Sequence, residues 1–441
     1  MNRRIHLVST QTSRNGEPLT ESARSRLQRR TVLVLMLAQV VGSIGMGAML
    51  AVGALIALDL SGSDAWSGMA TTMITLGAAA FALPLASLAA RSGRRPGLAL
   101  GWFFGALGGT VVIAATLLDL FALFLLGMLL IGAGTATNLQ ARHAAADLAT
   151  ERTRGRDLSV VVWATTVGSV VGPNLIGPTG GLAVLLGLPD LLGPVLLTTA
   201  GFLGGAVVIV ILLRPDPLLT AAAEAARDDA DQGRARRGGV GLADALRAIG
   251  RTPSALLAVV GVVASHTVMV SVMTMTPVHL THHGAELTVI GLTISLHIAG
   301  MYGLSPLVGW LADRFGRTPT LLAGQVILLV AAAVAGTAGH SEPLVTTGLV
   351  LLGVGWSFGL VSASALLAES LPAEVRPRAQ GFSDLAMNLG AASAAAVSGV
   401  VLATVGFGGL NLFAALFTVP VFLLALRARG KHFRTFTGNA R

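Results

Sequence analysis

The chain has 441 residues, of which 53% are hydrophobic and only 12% charged, with a formal net charge of +9. Soluble proteins carry about 25% charged residues, so two or three water-exposed domains of this length would have too little polar surface to wrap themselves in. Soluble enzymes are excluded in favour of a polytopic membrane protein, and the absence of cysteine removes disulfides, zinc ribbons, iron–sulfur clusters and thiol catalysis.

Residues 1–30 are polar, hold seven Arg and lack an apolar core, which predicts a cytoplasmic tail and not a cleaved signal peptide. Apolar stretches follow at about 31–58, 66–89, 97–118, 120–146, 158–184, 192–213, 254–277, 287–311, 320–338, 344–367, 379–404 and 410–427. Each approaches or exceeds the ~20 residues that cross a bilayer core as a helix. The fold expected is therefore an all-α membrane protein with twelve transmembrane helices, called here spans 1 to 12. They divide into two six-helix bundles, 31–213 and 254–427, joined by a polar loop at 214–253 and closed by a tail at 428–441.

The charges orient the chain. Every Arg and the single Lys431 fall in the tails, the central loop, the 2–3, 4–5, 8–9 and 10–11 connections, or helix ends abutting them. The alternate connections hold Asp59, Asp64, Asp119, Asp190, Glu286 and Glu342 without a basic residue. The positive-inside rule then places both termini and the central loop in the cytoplasm. The net charge is topological, so no nucleic acid partner is implied. The use of Arg with almost no Lys suggests a high-GC bacterial gene, and hence a bacterial cytoplasmic membrane.

The halves are related. A shift of 223 residues lays Gly309-Trp-Leu-Ala-Asp-Arg-Phe-Gly-Arg-Thr-Pro319 over Ala86-Ser-Leu-Ala-Ala-Arg-Ser-Gly-Arg-Arg-Pro96. A shift of 222 pairs Asp147, Arg154 and Arg156 with Glu369, Arg376 and Arg378. Parallel repeats around a midplane site are a transporter design. The chain resembles the major facilitator superfamily over residues 31–427, whose span 8–9 signature is complete as Gly309, Leu311, Asp313, Arg314, Gly316 and Arg317. That resemblance implies a cytoplasmic gate at Asp313, Arg314 and Arg317. The first-half copy departs, with Ala86 for Gly and Ala90 for Asp, so latching is expected to be one-sided.

Ionisable groups inside spans are costly and mark function by default. Five of the nine His residues fall between His266 and His297. Span 7 holds His266, Met269 and Met273 at spacings of three and four, and span 8 holds His297 and Met301, so each set shares a helix face. At a rise of ~1.5 Å per residue, His266, Met269, His297 and Met301 lie within roughly 6 Å of the midplane. Adjacent antiparallel helices are expected to bring them together. Thioether and imidazole ligands without carboxylates favour soft Cu(I) over hard cations, and the lack of thiolates keeps such a site weak enough to release its ion. The Met269-x-x-x-Met273 and His297-x-x-x-Met301 pairs resemble those of the CcoA-like bacterial copper importers, where such pairs are tied to copper uptake. His266 joins the set on spacing alone. Met69 and Met73 repeat the four-residue spacing without a His pair and are assigned to packing; Met46 and Met49 are weaker additions from span 1.

His279, His282 and His283 cluster at the external mouth, where they either capture an incoming metal ion or serve as ordinary interfacial polar groups. Asp384, inside span 11, is the candidate for proton coupling or else pairs with Arg376 or Arg378. Gln39, Asn138, Gln140 and Asn174 are candidate cavity groups, and Asp147, Glu369 and Glu374 candidate gate or anchor charges. The expected function is a copper importer working by alternating access, a monomer in the lipid bilayer, with copper as cargo and no cofactor. The alternative is a proton-coupled exporter of drugs or small metabolites. In its favour, Gly168-Ser-Val-Val-Gly172-Pro173-Asn-Leu-Ile-Gly177 partly matches the antiporter motif of that fold. No catalytic constellation supports an enzyme.

Overall fold

The structure is a computed structural model that describes residues 20–150, 154–232, 242–372 and 375–427. Most of the N-terminal tail, the C-terminal tail with Lys431, the loop cations Arg234, Arg236 and Arg237, Glu374, and the side chains of Arg154 and Arg156 lie outside that description.

Among the described residues all regular structure is helical. The first half contains α1 (Glu21–Ser61), a 3-10 turn (Asp64–Trp66), α2 (Met69–Ser92), α3 (Arg94–Leu117), α4 (Phe121–Ala146), α5 (Arg154–Asn174), α6 (Ile176–Leu185) and α7 (Leu192–Leu212). The connecting region holds α8 (Pro217–Gln232) and α9 (Leu242–Arg251). The second half contains α10 (Pro253–His282), α11 (Leu287–Gly303), α12 (Ser305–Phe315), α13 (Arg317–Gly336), α14 (Glu342–Ser370) and α15 (Arg376–Leu416).

Among the described residues ten helical segments are long and apolar enough to cross a membrane. The two remaining spans have identifiable causes. Span 5 is divided into α5 and α6 by a turn at Leu175, where Pro178 can neither donate to the Asn174 carbonyl nor pack its ring against it in a continuous helix. Spans 11 and 12 form one stretch, Arg378–Arg427, broken at Gly406, where φ of 70° and ψ of −177° exclude helix geometry. The architecture is thus twelve spans, as the hydropathy pattern predicts.

The chain forms two compact units, Met1–Met49 with Leu76–Arg237, and Leu50–Thr75 with Gly238–Arg441. Lipid supplies no hydrophobic force between helices, so small residues that let backbones approach do much of the packing. In the first unit, Gly168 and Gly172 of α5 have no room for a Cβ against the Val40 and Ile44 carbonyls of α1, and Gly45 abuts Thr198 of α7. The antiporter-like glycines therefore act here as the α1–α5 seam. Trp102 of α3 fills the space above Gly42 and lies against Phe202, with ring centroids 5.1 Å apart.

In the second unit, α14 packs against α10, α11 and α13, while α15 packs on α10. Gly353 of α14 touches the backbone of His297 and Met301, and Gly359 touches the Ser265 side chain. The segment Leu50–Thr75 joins this unit through Gly68 and Gly399. Gly68 is tight against the Ala395 carbonyl, Gly399 against those of Asp64 and Ala65, and Thr72 Oγ1 donates to the Ala392 carbonyl at 3.1 Å.

Candidate functional site

The sequence repeat is also a repeat in three dimensions. Gly93 and Gly316 occupy matching positions with φ of 97° and 95°, each starting the next helix. One residue later, Arg94 forks onto Asp147 (Nε to Oδ2 2.8 Å, Nη2 to Oδ1 3.0 Å), and Arg317 grips Glu369 (Nε 3.0 Å and Nη2 2.8 Å to Oε1). Arg317 also pairs with Asp313, for which Ala90 of the first copy has no substitute. Instead, the Asp216 carboxylate accepts from the Arg95 backbone N–H at 2.7 Å and from Leu218 and Leu219 at the start of α8. A carboxylate at two helix N-termini is favourable for both dipoles. Arg314 lies over the rings of Trp310 and Phe315, 5.5 and 5.8 Å from their centroids, so it is an aromatic-packed cation and not a member of the Asp313–Arg317–Glu369 cluster.

The span 7 and 8 residues occupy a different arrangement from the one expected. Helices α10 and α11 scarcely meet, because α14 is the helix packed against both. Each His is bound to α14. Trp356 Nε1–H donates to His266 Nδ1 at 2.9 Å, which fixes the neutral imidazole with its proton on Nε2. His297 does the opposite. Its Nδ1 lies 2.7 Å from the Leu349 carbonyl, which can only accept, so Nδ1 carries the hydrogen and Nε2 presents a lone pair. His297 is fully buried and that Nε2 has no hydrogen-bond partner. Met269 and Met301 are buried, and Met273, a turn beyond Met269, is partly exposed.

Several groups at this level escaped sequence reasoning. Tyr302 of α11 stands edge-on to Trp356 at 5.6 Å, Gln325 of α13 donates to Ser265 Oγ at 2.8 Å, and Ser305 shares a 3.2 Å hydrogen bond with Ser357. The available signal was rarity: Tyr302 is the chain's single tyrosine, in a sequence with only 5% aromatic residues.

The triple-His segment is gathered but occupied. His279 Nε2–H donates to the Gly339 carbonyl at 3.2 Å and its ring stacks on Phe407 at 4.0 Å. His283 Nδ1–H donates to the His279 carbonyl at 2.7 Å, and His282 Nε2 lies 3.2 Å from Asp64 Oδ1. His340 joins edge-on to His283 at 4.4 Å. Among the described residues no three His, Asp or Glu side chains are placed to hold one metal ion. In this conformation His279, His282 and His283, the expected capture residues, are engaged by backbone carbonyls, Phe407 and Asp64.

Asp384 lies exposed on the surface of α15, and Asn388 Nδ2 donates to its backbone carbonyl at 2.7 Å. Arg376 turns to the Leu371 carbonyl at 2.7 Å. In the first unit Gln39 Nε2 donates to Thr165 Oγ1 at 3.2 Å and Gln140 Nε2 to the Ala82 carbonyl at 3.3 Å. The oxygens of Gln39, Asn138 and Gln140 are buried without partners, which fits groups held for a polar cargo or water. Asn174 is exposed and donates to Val170.

The chain is 39% identical over 408 residues to the uncharacterized MFS-type transporter YddS of Bacillus subtilis, covering 92% of each. It is 29% identical to the riboflavin transporter RfnT of Brucella anthropi over 409 residues, covering 91% of this chain and 97% of that one. Among solved structures, it shares its fold with a bacterial homolog of the human lysosomal transporter Spinster, at a TM-score of 0.69 and 16% identity, covering 91% and 96% of the two chains. A D-xylose-proton symporter gives a TM-score of 0.64 at 18% identity, covering 88% and 96%. The profile of the Major Facilitator Superfamily matches residues 35–295 and 259–439. This chain, a multi-pass membrane transporter and not an enzyme, belongs to the Major Facilitator Superfamily.

Proposed function

We propose that this transporter imports copper as Cu(I), with both termini in the cytoplasm of a bacterial cell. The observation that carries this reading is His297. Metal-binding imidazoles commonly donate one N–H to a carbonyl or carboxylate, which fixes the tautomer and aims the other nitrogen at the ion. His297 has that arrangement, with Nδ1–H on Leu349 and a buried, unpartnered Nε2. Met301, one turn along α11, adds a thioether, and Met269 and Met273 are the candidate thioethers of α10. His266 leaves the ligand set, since its Nδ1 is already taken by Trp356. No side chain in the set is anionic, so the site suits a soft monovalent ion that must be released again. The test is cellular copper in an uptake-deficient host at matched expression. Wild type should raise it, while Ala at Met269, Met273, His297 or Met301 should abolish the rise; a null result for wild type would defeat the proposal.

A second reading has one observation in its favour. His266, Trp356 and Tyr302 put two aromatic rings and an imidazole N–H at one level of the bundle, a surface that suits a planar organic molecule. The relative named as a riboflavin transporter is consistent with such a cargo. Competition of the uptake by riboflavin would support this reading over copper.

A further inference from the structure

The three residues His266, Trp356 and Tyr302 form a relay that the copper reading leaves unused. His266 is a partly exposed imidazole within α10, and its Nδ1 accepts the Trp356 indole N–H. The ring centroids are 6.0 Å apart with planes at 46°. Trp356 is 4% exposed, so its position is set by packing, and its second neighbour is the Tyr302 ring. The next residue, Ser357, bonds Ser305, the first residue of α12. Between Tyr302 and Ser305 the chain is interrupted at Leu304, where α11 ends and α12 begins. The imidazole is thus linked through Trp356 to the break that follows the His297–Met301 helix.

We propose that His266 is a proton-binding site that couples transport to a proton gradient, with Trp356 reading its protonation state. Neutral His266 accepts the indole N–H. One proton added to Nδ1 gives an imidazolium with N–H at both nitrogens, which no longer accepts a hydrogen bond. The indole N–H edge is the positive side of that ring's quadrupole and faces the new charge, while the π face attracts it. Protonation therefore breaks the Trp356 contact and turns the indole, and the loss of that proton on the other side of the membrane restores it. Only N–H bonds form and break.

The other ionisable groups on the packed elements, His297 apart, do not share this level. They are Asp244, Arg247 and Arg251 on α9, His279 and His282 at the far end of α10, and His297 on α11. Arg317 starts α13, Glu342 and Glu369 lie at the two ends of α14, and Arg376, Arg378 and Asp384 occupy the first turns of α15. Of these His297 alone is deep in a span beside α14, and its Nδ1 is held by Leu349.

The inference rests on the transporter fold and not on the cargo, and its test has a cargo-free arm. Purified protein in proteoliposomes is titrated from about pH 8 to about pH 4, around the range where imidazoles change charge. The Trp356 fluorescence is isolated as wild type minus Trp356→Phe. That signal should change with pH in the wild type and stay flat when His266→Gln removes the titrating group. A flat wild-type signal, or a response that persists in His266→Gln, overturns the proposal. The second arm measures Cu(I) uptake with and without an inward proton gradient. The gradient should accelerate the wild type several-fold and leave His266→Gln unaccelerated. Trp356→Phe keeps the imidazole but removes the bond favouring its neutral form, so its acceleration should persist with the pH profile moved upward. Retained acceleration in His266→Gln, or an unmoved profile in Trp356→Phe, refutes the coupling role. If the wild type carries no copper, the cargo proposal fails while the fluorescence arm still decides the fate of His266.

Discussion

Replacing His297 with Leu separates the metal reading from plain core packing. Leu has a similar size and suits a fully buried helix face. The substitution deletes the hydrogen bond to Leu349, and interhelical bonds of this kind in membranes average ~0.6 kcal/mol. It also deletes an unpartnered buried Nε2, whose desolvation costs about 1–3 kcal/mol. The second term exceeds the first, so His297→Leu should be level with wild type or more stable by up to ~2 kcal/mol. In thermal unfolding of the purified protein, a chain of 441 residues, the midpoint should hold or rise by up to about 2 °C, at about 1 °C per kcal/mol. Copper uptake by the same preparation should fall by at least ~10–100-fold, the loss that even indirect partners of a metal cause. A destabilised protein would show that Nε2 is not a stored cost and that the ring serves packing. A stable protein with intact uptake would remove His297 from the site.

Five further substitutions probe the fold and its controls. Arg94→Ala leaves the Asp147 carboxylate, with a side chain only 10% exposed, unpaired, whereas Arg317→Ala leaves Glu369 at 57% exposure. The first should cost about 3–5 kcal/mol and the second about 1 or less, readable as clearly different unfolding midpoints. Gly353→Ala drives a methyl into the His297 carbonyl, so α11 and α14 must separate, at about 1–3 kcal/mol and with reduced copper uptake. Met69→Ala and Met73→Ala should retain copper uptake, since no His pair accompanies them; loss of uptake there would transfer the thioether role to α2.

The spans were legible because crossing a bilayer demands about 20 apolar residues, a constraint no tertiary contact overrides. The two places where helix assignment departs from the hydropathy pattern, Leu175 ahead of Pro178 and Gly406, are both marked by residues that break helices. The repeat was legible too, since the 223-residue shift that aligns Gly93 with Gly316 also aligns their positive φ values. Side-chain partners were not. Depth and face follow from helix period, so His266 and His297 could be placed at one level. The helix that covers them is set by packing, and α14 owes its place beside α11 to Gly353, a residue with no chemical signal of its own. The two imidazoles are similar in sequence context, yet one accepts from an indole and the other donates to a carbonyl. The partners of the triple-His segment were illegible for the same reason, since Gly339, Phe407 and Asp64, which engage His279 and His282, are distant in sequence.

The central claim is that this transporter carries Cu(I) through a site containing His297 and Met301. The most direct measurement is radioactive copper uptake, under reducing conditions, into proteoliposomes holding the purified wild type or the His297→Ala or Met301→Ala variant. The account predicts saturable uptake by the wild type, its loss in both variants, and no competition from excess riboflavin. Wild-type liposomes that take up no more copper than empty ones, or variants that match the wild type, would contradict it.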